Sequence, residues 1–194
     1  MIAGVLLAAG GATRFGSQKL IATLNGTPIV RLAARALAAA TDISIIVVGS
    51  ESTSVRAALG ETDARVVENP DWAQGLATSL RCGIAAVPAN VAAAIVSLGD
   101  QPGLDVAVAR SLIARWRDTE SPIVTARYRG VRGHPVLFDR SVFAEIATLR
   151  GDAGAKALIE QSPDRVAYVD IDADVPRDVD TKDDLAALGG DVSR

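Results

Sequence analysis

The stretch Leu6–Lys19, LLAAGGATRFGSQK, places an apolar strand, a glycine-rich turn and two cations in immediate succession. Val5, Leu6 and Leu7 are side chains of a buried strand. Gly10 and Gly11 let backbone amides approach an anion closely, and Arg14 and Lys19 bring positive charge to the same place. From Met1 to Thr41 there are four basic side chains (Arg14, Lys19, Arg31, Arg35) and no Asp or Glu. A turn of this kind predicts a seat for a nucleoside triphosphate. It is not a Walker loop, because Ser17 and Gln18 separate Gly16 from Lys19, and Leu20 follows the lysine. Nor does it match the dinucleotide fingerprint: Gly10 and Gly11 are adjacent, and Asn25-Gly26 reads as a turn. The bland alternative is a solvated strand-to-helix turn. Two cations in an acid-free stretch argue against it.

Two acidic positions bear on the same chemistry. Asp100, in Leu98-Gly99-Asp100-Gln101-Pro102, follows an apolar run. A carboxylate facing polyphosphate needs a divalent cation between them, and Mg²⁺ takes one or two carboxylates together with phosphate oxygens. Asp100 is therefore a candidate metal ligand, against the plain reading of a turn residue before Pro102. Asp180, in Asp178-Val179-Asp180-Thr181, stands at a helix start, where the helix dipole alone would favour an acid. It gains a metal role only if that helix start packs beside Asp100.

These residues must be positioned by an alternation of short apolar runs and helical stretches. Strands are expected at Ile2 to Ala8, Ile43 to Val48, Arg65 to Glu68, Ala92 to Leu98, Pro122 to Ala126, Pro135 to Phe138 and Val166 to Asp170. Helices are expected at Pro28 to Ala40, Thr53 to Leu59, Leu76 to Ala86, Val106 to Arg117, Arg140 to Leu149, Ala153 to Gln161 and Thr181 to Leu188. Pro28 suits a first helical turn, Asp105 and Asp152 suit caps, and Thr181 with Asp184 spells a capping box. The alternation predicts an α/β fold: a three-layer α/β/α sandwich around a Rossmann-like, mostly parallel sheet of about seven strands. Pro135 to Phe138 has no helix before it, so a local antiparallel strand is expected there. No repeat, low-complexity segment or linker interrupts residues 1–194, which read as one domain. In such a sheet ligands sit beyond the carboxyl ends of the strands, so the Leu6–Lys19 turn and Asp100 should share an edge.

Composition narrows the class further. The 194 residues are 49% hydrophobic, enough for one substantial core. Aromatics at 4% are too few for base-stacking platforms, and a net charge of -3 gives no global basic field, so nucleic-acid binding is not expected. Ten acids against four bases from Glu160 to Arg194 suit solubility. The lone Cys82 excludes an internal disulfide and fits a reducing cytoplasm. No run approaches a membrane span, and the amino terminus lacks the basic region and apolar length of a signal sequence.

The pattern AAG-x-x-x-R-F-G-x-x-K after a strand, then LGDQP, GHPVLF, GDAGAK and DVDTKDDL, resembles the MobA-like nucleotidyltransferases, and within them the molybdenum cofactor cytidylyltransferases. The likeness runs from Ile2 to about Leu188. It implies that the first turn, through Ala8, Ala9, Gly10, Gly11, Arg14 and Lys19, binds the triphosphate. It implies further that Asp100 binds Mg²⁺, and that Asp180 can supply another ligand. The family reads the base with G-x-x-x-S, which falls on Gly75 to Ser79. The AAG form resembles the cytidylyl branch and implies CTP, with GTP the alternative. The resemblance also places the GHP segment, and so His134, on the acceptor side near a molybdopterin, whereas a lone His before Pro135 reads by itself as a structural hydrogen bonder. Asp152 is either a cap for a helix from Ala153 or an acceptor contact.

The reaction implied is an in-line displacement, with Arg14, Lys19 and Asp100 the catalytic groups and Mg²⁺ the cofactor. A molybdopterin phosphate attacks the α-phosphorus of CTP and pyrophosphate leaves; a molybdenum enzyme would then receive the product. A phosphate monoester has its second pKa near 6, so the nucleophile needs no base. Three other readings stay open: transfer to a sugar or alditol phosphate, a non-catalytic nucleotide- and cofactor-binding delivery partner, and an oxidoreductase, which the missing dinucleotide fingerprint weakens.

Overall fold

The computed structural model describes residues 1–11, 18–152 and 154–191. Its first strand, β1 (Ile2–Ala8), is buried along its whole length, as expected of a strand covered on both faces. Two short strands, β2 (Thr23–Leu24) and β3 (Thr27–Pro28), lead into α1 (Ile29–Ala38). There follow β4 (Ile43–Val48), α2 (Ser52–Leu59), β5 (Arg65–Glu68), α3 (Leu76–Ala85), β6 (Ala93–Leu98) and α4 (Val106–Thr119). The second half adds β7 (Ile123–Tyr128), β8 (Val131–Asp139), α5 (Phe143–Ile146), α6 (Lys156–Gln161), β9 (Val166–Ile171), α7 (Lys182–Ala187) and β10 (Gly190–Asp191).

The main sheet has seven strands in the order β5-β4-β1-β6-β8-β7-β9. β1 pairs in parallel with β4 and β6, and only β8 runs against its neighbours β6 and β7. Because side chains alternate across a strand, Leu6 and Ala8 face one core with Val30, Leu37, Leu59 and Leu112, while Val5 and Leu7 face another with Leu80, Ile84, Ile146 and Leu158. Helices α1, α2 and α4 thus cover one face and α3, α5 and α6 the other. This is the expected three-layer sandwich with one antiparallel strand. Among the described residues no helix is long and apolar enough to cross a membrane.

Several local expectations need correction. The strand at Pro135 to Phe138 extends to Val131–Asp139, because a hairpin with β7 pairs its first half as well. Pro28 lies before α1 in an extended conformation, paired with Thr23 across the Asn25-Gly26 turn. Both turn residues have positive φ, the signature of a two-residue hairpin. The expected helix Arg140 to Leu149 is a 3-10 turn, Arg140–Val142, running into the single turn α5. The next helix starts at Lys156, not Ala153, so Asp152 lies ahead of it and does not cap it. The two remaining caps are as expected: Asp105 accepts from Ala107 N at 2.7 Å, and Thr181 and Asp184 close a reciprocal box at the start of α7.

A third, small core packs Val179 and Leu185 against Ile29, with Ala22 and Leu24 beside them. Together with the three-stranded β10-β2-β3 sheet, it docks the carboxyl-terminal segment beside the chain leaving the first turn. That docking positions the site.

Candidate active site

Lys19 opens a 3-10 turn, Lys19–Ile21, whose backbone is pinned on both sides. Gln18, almost fully buried, donates from Nε2 to the Ser50 carbonyl and accepts from Leu20 N; Leu20 is itself a core residue. The lysine side chain therefore leaves a rigid base. Its Nζ donates to Asp100 Oδ2 at 2.6 Å and to Asp180 Oδ1 at 2.7 Å. Burial alone would lower the ammonium's pKa, but the two carboxylates outweigh it and raise it, so Lys19 stays charged.

Asp100 follows β6 as Gly10 and Gly11 follow β1, and the two strands are parallel neighbours, so both project from one edge of the sheet. Asp180 arrives from the far end of the chain. The Val179 amide donates to the Asp100 carbonyl at 3.0 Å, and Gln101 Nε2 donates to Asp178 Oδ1 at 2.7 Å. Burial, then the charges of Asp100 and Asp180, push the Asp178 carboxyl above its usual range. Two hard oxygen donors converging on one cation fit a divalent ion of the Mg²⁺ type, which completes its shell with water and substrate phosphate. Asp100 and Asp180 would hold it. Arg14 lies outside the described residues.

A cleft of about 300 Å³ runs from Ala9, Gly10 and Gly11 past Ser79 and Gly75 to Asp100. Gly75 precedes α3 at φ +108°, and a Cβ there would come within 2.5 Å of Asp152 Oδ1, so this position requires glycine. Ser79 is held by Asn69, a buried residue whose Nδ2 donates to Thr78 Oγ1 at 2.8 Å and Ser79 Oγ at 3.0 Å, while its Oδ1 accepts from Asp71 N. Asn69→Ala leaves these groups without their partner, and an expected loss of about 1–3 kcal/mol follows, measurable by urea unfolding.

Beyond Asp152 and Leu76 the cleft continues into a second cavity of about 590 Å³. Its wall is largely aliphatic, with Leu7, Leu80, Val96, Val136, Phe138 and Ile159, and its polar groups include Thr125, Arg132, His134 and Asp152. Asp152 thus stands where the two spaces meet. His134 bonds to the Val96 backbone, while its Nδ1 is buried and finds no partner among the described residues. Burial holds the imidazole's pKa below its ordinary 6.5, so it is neutral in the folded protein. An unfolded chain then binds a proton that the native one refuses. The stability this group confers is full above pH 6.5 and declines as pH falls below it. Melting temperatures between pH 7.5 and 5.5 should accordingly drop more steeply in the native protein than in His134→Asn; equal slopes would contradict this.

The structure thus brings Lys19, Asp100 and Asp180 together, sets Ala9, Gly10, Gly11, Gly75 and Ser79 along one cleft, and places His134 and Asp152 on the adjoining cavity. Ala8 is buried at the end of β1, beneath the turn. Sequence reasoning left three residues without a role: Asn69, Gln18, and Trp72, which lines the cleft. A buried amide beside hydroxyls has no sequence signature. For Trp72 the signal was present, a large aromatic three residues before Gly75 in a chain poor in aromatics.

A MobA-like NTP transferase domain model matches residues 4–166. Nicotine blue oxidoreductase of Paenarthrobacter nicotinovorans is 33% identical, over 96% of each chain. Molybdenum cofactor cytidylyltransferase of Escherichia coli (strain K12) is 23% identical, over 93% of this chain and 92% of its own. The crystal structure of Rv0371c from Mycobacterium tuberculosis H37Rv superposes with a TM-score of 0.85 at 33% identity, over 96% of each chain. The same protein has been solved in complex with manganese, at a TM-score of 0.80 and 34% identity over 96% of this chain and 97% of that one.

Proposed function

We propose, from the premise that this chain belongs to the MobA-like NTP transferase family, that it moves CMP from CTP to the phosphate of a molybdopterin-type acceptor in the cytoplasm, with release of pyrophosphate. The observation that carries the reading is the convergence of Lys19, from the first turn, on Asp100 and Asp180. In this mechanism Gly10 and Gly11 present backbone to the triphosphate, and the Lys19 ammonium lies beside the phosphoryl groups as their charge redistributes. Asp100 and Asp180 would hold Mg²⁺, which when bound supplies charge neutralisation at the phosphates. Ser79 and Gly75 face the nucleoside, and the cavity bearing His134 and Asp152 receives the acceptor. An acceptor phosphate oxygen forms the new bond to the α-phosphorus as the bond to pyrophosphate breaks in line. The acceptor phosphate is already ionised at neutral pH, so no side chain must take a proton. Most of the rate then comes from orientation and preorganised charge.

A panel of CTP, GTP, ATP and UTP with molybdopterin or its molybdenum-bearing form, scored by pyrophosphate release, tests this reading. Release with CTP and Mg²⁺ is the expected result, and none with any nucleotide would refute it. The manganese complex of Rv0371c, 34% identical to this chain, supports divalent-metal use in the family.

One observation favours a second reading. The aliphatic wall of the larger cavity suits an extended apolar ring system, and a 33% identical relative is named for oxidoreduction of nicotine blue. An oxidoreductase would draw electrons from a donor such as NAD(P)H. Unchanged NAD(P)H absorbance with that dye as acceptor counts against it.

A further inference from the structure

Among the described residues the indole of Trp72 belongs to none of the three cores, yet it is held more rigidly than its surface position requires. Its residue is 37% exposed and begins the 3-10 turn Trp72–Gln74. The turn is fastened from beneath by Asn69, whose Oδ1 accepts from Asp71 N at 3.0 Å, and by the Thr78 hydroxyl, 3.0 Å from the Asp71 carbonyl. Two glycines of neighbouring segments admit the side chain. A Cβ on Gly49 would stand 2.7 Å from Trp72 Cβ, and one on Gly11 would stand 3.0 Å from Trp72 Cζ3. The six-membered ring therefore rests on the glycine turn after β1 while lining the cleft that also holds Gly75, Ser79 and Asp100. An aromatic face preorganised in this way is a platform for a planar ring, since its ordering entropy is already spent in the fold.

We infer that Trp72 is a nucleoside-binding residue, whose indole forms the wall on which the base of the bound triphosphate lies. The inference rests on the nucleotide reading above and adds to it a residue and a division of labour. Every base has a π-face, so stacking supplies affinity without choosing among bases. Trp72 should strengthen CTP and GTP binding alike, leaving discrimination to the polar groups along Gly75 to Ser79.

The chain has only two tryptophans. Trp116 lies on α4, with Nε1 bonded to Asp139 Oδ2 at 3.0 Å, so Trp116→Phe makes the emission of Trp72 directly readable. Titrating that variant with CTP and with inorganic tripolyphosphate should give an emission change with CTP alone, although both ligands bind by calorimetry. Trp72→Leu, which keeps apolar bulk against Gly11, should weaken CTP and GTP by about 10-fold or more while leaving tripolyphosphate affinity unchanged, and Trp72→Phe should retain most of the CTP affinity. If Trp116→Phe fails to fold, the difference between native and Trp72→Phe emission serves the same purpose. Equal emission changes with both ligands, or native CTP affinity in Trp72→Leu, would overturn the inference alone. No binding of either ligand to the native protein would bring down the nucleotide reading and this one with it.

Discussion

Lys19→Ala turns over CTP about 10²- to 10³-fold more slowly than the native protein, the loss typical of one preorganised electrostatic group. The lysine is 13% exposed, and its turn is anchored by Gln18 and Leu20, so truncation removes charge without loosening the backbone. The deficit should appear in kcat at saturating CTP and Mg²⁺, read as pyrophosphate release, with an unchanged far-UV circular dichroism spectrum. Lys19→Arg should not restore full rate, because a planar fork replaces a compact ammonium where two carboxylates converge. Full CTP turnover in Lys19→Ala would remove the lysine from the mechanism.

Asp100→Asn keeps the shape of the side chain and deletes its charge. If Asp100 holds the divalent ion, several kcal/mol of charge stabilisation are at stake, so turnover falls by roughly 10²- to 10⁴-fold. A titration of pyrophosphate release against Mg²⁺ and Mn²⁺ should show the midpoint displaced to higher metal concentration. Asp180→Asn should cost less, since at 45% exposure it is more heavily screened by solvent than Asp100 at 20%. Because Lys19 and Asp100 are in contact, Lys19→Ala/Asp100→Asn should lose less than the product of the single losses. Native turnover and native metal dependence in Asp100→Asn would exclude it as a ligand.

The elements of this fold were legible wherever their information is local. β1, β4 and β5 have the bounds their sequence predicts, because a chain breaker follows each closely: Gly10 after β1, Gly49 after β4 and Asn69-Pro70 after β5. Asp105 and the Thr181–Asp184 box were legible because a cap needs only side chains within three residues of the amides they serve. Two-residue strands such as β2, β3 and β10 carry no period, and only their mutual pairing makes them strands. The late start of α6 was hidden because an Asp followed by alanines reads as a cap and a first turn, while Gly151 and Gly154 both take positive φ in the folded chain.

The site divides along the same line. Gly10, Gly11, Lys19 and Asp100 declared an anion-binding turn and a metal carboxylate by residue type, and the rule that parallel strands end on one edge put them in one neighbourhood. What no neighbouring residue encodes is that a lysine meets one carboxylate 81 residues away and another 161 residues away. Those meetings follow from the crossover between β1 and β6 and from Val179 and Leu185 packing on Ile29, contacts made only when the whole chain is assembled. The rest on which Trp72 lies, backbone at Gly11 and Gly49, likewise comes into being only when segments from three strand ends close on one cleft. Residue chemistry is a property of the sequence, whereas the distance between chemistries is set by the pairing of the sheet and the packing of its cores.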